Sequence, residues 1–289
     1  MTQDSLYLGQ FIPLQYHYNM LNDLNRMTAF KVAIERAVLP GARVLELGGG
    51  TGVLSFFASR HASKVWCVER NPELSREAKR ILALNPGSEK IEVIEADASE
   101  YLPPEPVDVL ICEMLHAGML REKQTQVISS FKKRYIERFI NTSLPLFVPE
   151  ASILAAQPVQ QSFDFFGYYA PTIFFQNPYG EQKETVGLCD PFVYQIIQYS
   201  ENFPEQFSWD GIVHIKTSGL LNALRFITKN ILLVLITEKA TADWSNQHLI
   251  VPLPAPVKVE KDDKVHIKFS YSSGAQLEAL RESISVSKL

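Results

Sequence analysis

The sequence predicts an α/β domain built on a parallel sheet, followed by a mainly antiparallel β-barrel domain. Before residue 145, apolar strand-like runs alternate with segments whose apolar residues recur at helical spacing. After residue 145, short apolar runs are separated by turns, and long helical patterns cease. A glycine-rich turn follows the first apolar run. These observations place a domain boundary near residue 145 and a candidate ligand site in the first domain.

The composition is typical of a globular protein with a sizeable core. Of the 289 residues, 46% are hydrophobic and 21% are charged, and the net charge is −4. This mild negative charge argues against nucleic-acid binding. No apolar run reaches the roughly 20 residues that a membrane helix needs. Cys67, Cys112 and Cys189 show no metal-ligand spacing and are expected to be reduced. We therefore expect a cytoplasmic protein with no metal site and no nucleic-acid or membrane partner.

The first half alternates between strands and helices. Residues 17–37 carry apolar side chains at helical spacing and predict a helix. Four buried strands follow, with the sequences RVLEL, KVWCVER, KIEVIEA and VDVLICEM. Helices are predicted after the first two strands and over roughly 122–141. This alternation implies right-handed crossovers and a parallel sheet, in a domain that spans residues 38–145.

The second half, residues 146–289, is predicted to be the antiparallel domain. Its apolar runs are short and bounded by turn residues. Between two of these runs, the segment FDFFGYYAPTIFFQNPYG is dense in aromatic side chains. Two interpretations remain open for this segment. The aromatic side chains either pack in the core of the domain or form an exposed patch that marks an interface.

The glycine-rich turn predicts a nucleoside site. In VLELGGGTG, glycine lets the backbone turn tightly and approach a ligand. The start of the next helix offers free N–H groups. Glu69 ends the second strand, where a carboxylate can accept both ribose hydroxyls. Asp97 and Ala98 follow the third strand, where they would border an adenine. An ordinary strand-to-helix turn is the alternative, but the alignment of three strand ends favours a nucleoside.

Two carboxylates follow the fourth strand, Glu113 at once and Glu122 nine residues later. Such a pair can hold a planar guanidinium by charge-assisted hydrogen bonds and draw its charge away from the nitrogen that reacts. The alternative is an acidic start to the next helix. His116 lies between the two glutamates and is either a catalytic group or a solvated loop residue.

Together these segments resemble the class I S-adenosylmethionine-dependent methyltransferases. LELGGGTG, VERN and EADA are similar to the motif series of that superfamily, and the spacing of Glu113 and Glu122 is similar to the double-glutamate loop of the protein arginine methyltransferases. The resemblance implies a Rossmann-like class I methyltransferase domain followed by a mainly antiparallel β-barrel domain. It implies S-adenosyl-L-methionine as cofactor and arginine in a protein or peptide as acceptor. Two alternatives stay open: a small molecule or other side chain as acceptor, and a cofactor-binding partner subunit without turnover.

The resemblance also assigns roles to individual residues. The catalytic set is Glu113, Glu122, His116 and Asp243, where Asp243 stands in TADW at the position of the family's Thr-His-Trp histidine. Arg26 is expected to hold the cofactor carboxylate, beneath an N-terminal lid of residues 1–37. A dimerisation arm is expected around 160–190, and with it a homodimer. The expected cofactor contacts are Phe11, His17, Arg26, Glu46, Gly48, Gly49, Gly50, Thr51, Gly52, Glu69, Arg70, Asp97 and Ala98.

Overall fold

The computed structural model describes residue 12 and residues 14–289. The expected cofactor contact Phe11 lies outside the described residues, so its role stays a prediction. The described chain forms a parallel sheet with flanking helices, followed by antiparallel sheets. Within this part of the chain, no helix is both long and apolar enough to cross a membrane.

Two helices precede the sheet, α1 (Leu14–Asn22) and α2 (Leu24–Ala37). The periodicity predicted one helix over 17–37, but the chain breaks at Asp23. The carboxylate of Asp23 accepts the backbone N–H of Arg26 at 2.9 Å and so caps α2. The cap fixes the first turn of α2 and turns Arg26 towards the protein interior, where its side chain is buried.

The first domain contains a five-stranded parallel sheet with the order β3-β2-β1-β4-β5. Every strand pair in this sheet is parallel. The strand order reverses between β1 and β4, which is where doubly wound sheets open a crevice for a ligand. The strands are β1 (Arg43–Leu47), β2 (Lys64–Glu69), β3 (Ile91–Glu95), β4 (Val109–Cys112) and β5 (Leu146–Val148), and the helices are α3 (Val53–Ser59), α4 (Pro72–Leu82) and α5 (Gln124–Arg138). Because β5 pairs in parallel with β4, the parallel sheet extends a few residues past the predicted boundary near residue 145.

The rest of the described chain is mainly antiparallel, as the sequence predicts. Its strands pair as sheets of seven, three and two strands. The elements are β6 (Ala151–Gln161), β7 (Asp164–Phe165), β8 (Tyr168–Tyr169), β9 (Phe174–Gln176), β10 (Thr185–Gly187), β11 (Phe192–Gln198), β12 (Gln206–His214), β13 (Gly219–Leu235), β14 (Ala240–Ser245), β15 (His248–Val259), β16 (Lys264–Ser272), α6 (Leu277–Ser283) and β17 (Ser285–Lys288).

The aromatic segment divides between core and surface. Phe163 is buried, and Phe174 packs against the same small apolar cluster. The β7–β8 hairpin between them instead exposes its aromatic side chains, and Phe166 at its turn is fully exposed. The core interpretation therefore holds for the two ends of the segment, whereas the hairpin is an exposed patch.

Lys132, on α5, joins the two halves of the chain. Its side chain is buried, and its ammonium donates to the carbonyl oxygens of Tyr199, at 3.0 Å, and Glu201. The ammonium also lies 4.4 Å from the ring centre of Phe203. Burial lowers the pKa of Lys132. These contacts compensate a charge that would be costly to bury alone, and they tie α5 to the segment between β11 and β12.

We expect Lys132→Met to lower the free energy of unfolding by about 1–3 kcal/mol, because two carbonyl groups lose their donor while the stem of the side chain stays packed. Lys133→Met is the matched control, since Lys133 is exposed on the same turn. Urea unfolding of the two variants and the parent measures the difference. Equal stability of the two variants would show that the buried ammonium does not contribute.

Candidate functional site

A cavity of about 410 Å³ lies at the carboxyl ends of the parallel strands, at the point where the strand order reverses. The helices α1 and α2 form one wall, the strand ends form the floor, and the antiparallel domain contributes Phe175, Trp244 and Asn246. Leu47 and Cys112, the last residues of β1 and β4, are paired in the sheet. The glycine-rich turn and the double-glutamate loop therefore leave the sheet side by side.

Glycine is required where the turn passes under the cavity. A Cβ on Gly49 would lie 2.3 Å from the sulfur of Cys67, and a Cβ on Gly50 would lie 2.8 Å from the His17 ring. Gly50 also has a φ of +53°. The backbone of Gly49 and Gly50 thus packs closely between β2 and α1, where a larger residue would not fit. Gly48 and Thr51 line the cavity beside them.

Gly52 has a different place from the other glycines. It is not among the residues that line the cavity. It is the N-cap of α3 with a φ of +81°, and a Cβ there would lie 2.9 Å from a methyl carbon of Leu82. Its lack of a side chain leaves room for Leu82, the last residue of α4, and we assign it no direct contact with the ligand.

Glu69 is held at the end of β2 by the backbone around it. Its carboxylate accepts the N–H groups of Gly50, at 2.8 Å, and Asn71, at 2.7 Å. Burial raises its pKa, although these hydrogen bonds oppose the shift. The side chain is fixed and lines the cavity beside the glycine turn, which is the arrangement that holding a ribose requires.

A second acid, Glu46, lies beneath the turn and is almost fully buried. Its carboxylate accepts the backbone N–H of Ser55 at 2.9 Å and the hydroxyl of the same residue. Burial raises the pKa of Glu46 to about 7, against the effect of the Ser55 hydrogen bonds. Glu46 borders the cavity and also joins β1 to the first turn of α3.

Asp97, Ala98 and Arg70 come together at the far end of the cavity. Arg70 Nη1 lies 3.0 Å from Asp97 Oδ2. Asp97 also accepts the N–H and hydroxyl of Ser99, at 2.9 Å and 2.7 Å. These contacts orient the loop after β3, so that the predicted adenine end has fixed polar walls.

Arg26 connects the predicted cofactor side with the double-glutamate loop. Its Nη2 lies 2.6 Å from Oε2 of Glu113, and both side chains are largely buried. Its Nε atom is buried without a hydrogen-bond partner among the described residues, as is Nε2 of His17 beside Gly50. Buried donors of this kind require a partner. A ligand with an amino-acid end would supply a carboxylate for Arg26 Nε.

Glu122 shares the cavity with Glu113 but has no ion pair within the part of the chain that the structure describes. Burial raises its pKa to about 8, and the charge of Glu113 adds to the shift. A cation placed between the two carboxylates would reverse this effect by favouring the ionised form of Glu122. The pair is therefore arranged to receive a positive group.

Polar side chains fix the backbone of the loop between the two glutamates. Gln124 closes its base, since its amide donates to the Cys112 carbonyl at 2.7 Å and accepts the Met114 N–H at 2.8 Å. The antiparallel domain holds the tip, a 3-10 turn at Ala117–Met119. There the N–H of Gly118 donates to Thr228 Oγ1 at 2.7 Å, and Tyr271 donates to the Gly118 carbonyl at 2.8 Å.

His116 lies in this loop and lines the cavity. Its Nδ1 is 3.1 Å from the Ala117 carbonyl oxygen, and its ring meets the Phe175 ring edge-on with 5.4 Å between the centres. Burial lowers its pKa to about 4, and Arg121 adds to the shift. The ring is therefore neutral near pH 7.

Asp243 does not reach the cavity. Its carboxylate lies 3.2 Å from the Lys229 ammonium and accepts the Thr241 hydroxyl at 2.7 Å. Consecutive strand residues face opposite sides, so the inward position of Trp244 turns Asp243 outward. Asn246 and Gln247, which the sequence analysis missed, line the cavity instead. Only their position after the TADW segment could have indicated this. Among the described residues, no three His, Cys, Asp or Glu side chains form a group able to hold a metal.

The geometry fits an adenosine ligand with an amino-acid end, and the comparisons agree. The family model for a methyltransferase domain matches residues 44–134. An uncharacterized protein of Methanothermobacter thermautotrophicus is 32% identical over 274 residues, which cover 93% of this chain and 97% of that protein. Protein arginine N-methyltransferase 2 of Xenopus tropicalis is 26% identical over 293 residues, which cover 91% of this chain and 67% of that protein.

A solved structure of a methyltransferase has the same fold as this chain. A chain of the Trypanosoma brucei PRMT1 enzyme–prozyme heterotetrameric complex with AdoHcy superposes with a TM-score of 0.71. The alignment covers 95% of this chain and 97% of that chain at 13% sequence identity, so it bears on the fold alone. The chain therefore belongs to the class I S-adenosylmethionine-dependent methyltransferases, with S-adenosylmethionine as its cofactor, and it resembles the protein arginine methyltransferases.

Proposed function

We propose that the protein transfers a methyl group from S-adenosylmethionine to a guanidinium nitrogen of arginine in a protein or peptide. One observation carries the proposal: Glu113 and Glu122 line the same cavity as the glycine turn. A guanidinium is a poor nucleophile because its charge is delocalised and its pKa exceeds about 12. Two carboxylates on the nitrogens that do not react localise the charge there and leave electron density on the third nitrogen.

Four residues of the cavity then have a defined role, Arg26, Glu69, Glu113 and Glu122. The bound cofactor supplies an electrophilic methyl group. Glu69 holds the ribose hydroxyls, and Arg26 receives the cofactor carboxylate on its unpartnered Nε while Nη2 keeps Glu113 in place. Glu122 ionises when the cationic acceptor arrives, because the opposite charge stabilises its carboxylate. Of the predicted lid 1–37, residue 12 and residues 14–37 lie within the described chain, and we propose that they cover the cofactor, that residues 38–145 bind it and that residues 146–289 form the acceptor side.

Two other functions are less well supported. A small molecule or another side chain could accept the methyl group, but paired carboxylates favour a planar cation. A partner subunit without turnover would have no need of two glutamates at the acceptor end of the cavity, where both are present. The three cysteines are free and buried, which is consistent with the cytoplasmic setting that we propose.

We also propose a homodimer that forms through the β7–β8 hairpin. Phe165, Phe166, Tyr168 and Tyr169 are all exposed there. An exposed apolar patch of this kind marks an interface more often than a solvated surface. Phe174, which lies within the arm predicted around 160–190, packs in the small core beside Phe163 and is not part of the proposed interface.

Glu69→Ala should weaken the binding of S-adenosylhomocysteine, because each charge-assisted hydrogen bond to the ribose contributes about 1.5–3 kcal/mol. Isothermal titration calorimetry measures the loss. Glu73→Ala, an exposed acid on the next helix, is the control and should bind like the parent. Unchanged affinity of Glu69→Ala would exclude Glu69 from the cofactor site.

Glu113→Gln and Glu122→Gln should each lower kcat by about 10²–10³, the typical cost of one lost electrostatic stabiliser. Glu113 and Glu122 act as one unit, which we call the clamp, and a single remaining carboxylate does not localise the guanidinium charge. The double variant should therefore lose less than the product of the two effects. The assay is methyl transfer to arginine peptides and to the acceptor found by labelling a lysate. Cofactor affinity is measured in parallel, and exposed Glu137→Gln is the control. Parent rates in both single variants would contradict the clamp.

The double variant Phe166→Ser with Tyr168→Ser should shift a dimer to a monomer, because it removes two exposed aromatic rings from the proposed interface. Light scattering at micromolar concentration reports the mass. Ile236→Ser, which removes an exposed apolar side chain elsewhere, should leave the dimer intact. A parent protein that is monomeric under these conditions would refute the dimer.

A further inference from the structure

Methyl transfer leaves the acceptor nitrogen with a proton to lose, and we propose that Nε2 of His116 accepts that proton. This inference rests on the proposed methyl transfer to a nitrogen, but it does not require that the nitrogen belong to arginine. His116 lies in the loop between Glu113 and Glu122 and lines the same cavity as both. An acceptor held by Glu113 and Glu122 would therefore lie in the same part of the cavity as His116.

The local geometry selects which ring nitrogen is basic. Nδ1 lies 3.1 Å from the Ala117 carbonyl oxygen, which can only accept a hydrogen bond. The proton of the neutral ring therefore resides on Nδ1, and Nε2 carries the lone pair. No hydrogen bond to Nε2 forms within the described chain. The edge-on contact with Phe175 and the hydrogen bond to Ala117 together fix the plane of the ring.

The surroundings keep this ring uncharged before the reaction. Burial and the nearby Arg121 lower the pKa of His116, against the hydrogen bond to Ala117. The antiparallel domain faces the cavity with Phe175, Trp244, Asn246 and Gln247, none of which is charged. The charged groups that share the cavity are Glu113 and Glu122 of the loop, Arg26 of α2, Lys123 before α5, and the cofactor-side residues Asp23, Glu46, Glu69, Arg70 and Asp97. Glu113 is paired with Arg26. In the proposed reaction the two glutamates bind the cationic acceptor, and neither accepts the proton that it loses.

The other acid–base candidates are less suited to this step. His17 lies against Gly50, on the cofactor side of the cavity. Asp243 is paired with Lys229 outside the cavity. Glu122 must be ionised and hydrogen-bonded to a nitrogen that does not react if it is to act as half of the clamp. Among the described residues that line the cavity, His116 is thus the neutral base that lies beside Glu113 and Glu122 and can accept the proton.

The step balances without any further reactant. The attacking nitrogen forms a bond to the methyl carbon while the carbon–sulfur bond breaks, and the electron pair of that bond stays on sulfur. The methylated nitrogen then carries one proton too many, and that proton passes to Nε2 of His116. The imidazolium later releases the proton to water. The charge of the sulfonium therefore leaves the site as a hydrated proton.

His116→Gln tests this assignment, because glutamine keeps a polar side chain of similar reach that does not titrate. We expect kcat to fall by about 10²–10⁴-fold, the usual contribution of a positioned base. The KM of the acceptor and the affinity for S-adenosylhomocysteine should stay near the parent values. His116→Ala should lose activity to a similar extent and regain part of it when imidazole is added. A purely structural role for His116 would not give that rescue.

His61→Gln is the matched control, since His61 is exposed and lies outside the cavity. A His116→Gln variant with parent kcat, or with a loss confined to KM and no rescue by imidazole, would overturn the assignment. The test separates the two proposals, because it uses whichever acceptor the parent methylates in a labelled lysate. A His116-dependent reaction on another nitrogen would refute arginine and support His116. A parent that transfers no methyl group would refute both.

Discussion

Three titratable side chains, Arg26, Glu113 and Glu122, share the cavity at one edge of the parallel sheet, and their mutual positions set its electrostatics. Arg26 compensates Glu113 at 2.6 Å, and this leaves the charge of Glu122 without a counter-ion among the described residues. Desolvation and the charge of Glu113 favour the protonated form of Glu122, whereas Arg26 and Arg121 oppose this effect. The pKa of Glu122 accordingly rises to about 8. A cation placed beside Glu122 would favour its ionised form.

The antiparallel domain lines one side of the cavity and also binds the backbone of the loop between Glu113 and Glu122. Thr228 and Tyr271 bind the two backbone groups of Gly118, and the Asn246 amide donates to the Leu115 carbonyl at 3.1 Å. These contacts add to the burial of Leu115, Met119 and Leu120 in the core, and together they fix the loop between the glutamates. The distance between the two carboxylates therefore depends on how the antiparallel sheets pack against the first domain. The buried Lys132 helps to hold that packing.

One departure from the family pattern that the sequence resembles lies in the antiparallel domain, at Asp243. Asp243 replaces a histidine but faces away from the cavity, so this substitution removes a group from the site without supplying another. His116 and Phe175 stand in the cavity instead. The residues of the glycine turn and the strand ends that the sequence predicts as cofactor contacts line the cavity, except Gly52, which lies against Leu82.

The sequence by itself determined the elements whose cause is local. Glycines after β1, and carboxylates after β2, β3 and β4, can be located because parallel strands end at one edge of a sheet. The burial of individual side chains could not be read in this way. Whether Asp243 or Trp244 faces inward depends on strand register, and whether an aromatic ring is core or surface depends on which strands cover it. The partner of Arg26, the pKa of Glu122 and the place of His116 depend on contacts between residues far apart in the chain. Only the tertiary structure decides those, because burial and pairing are properties of the packed molecule.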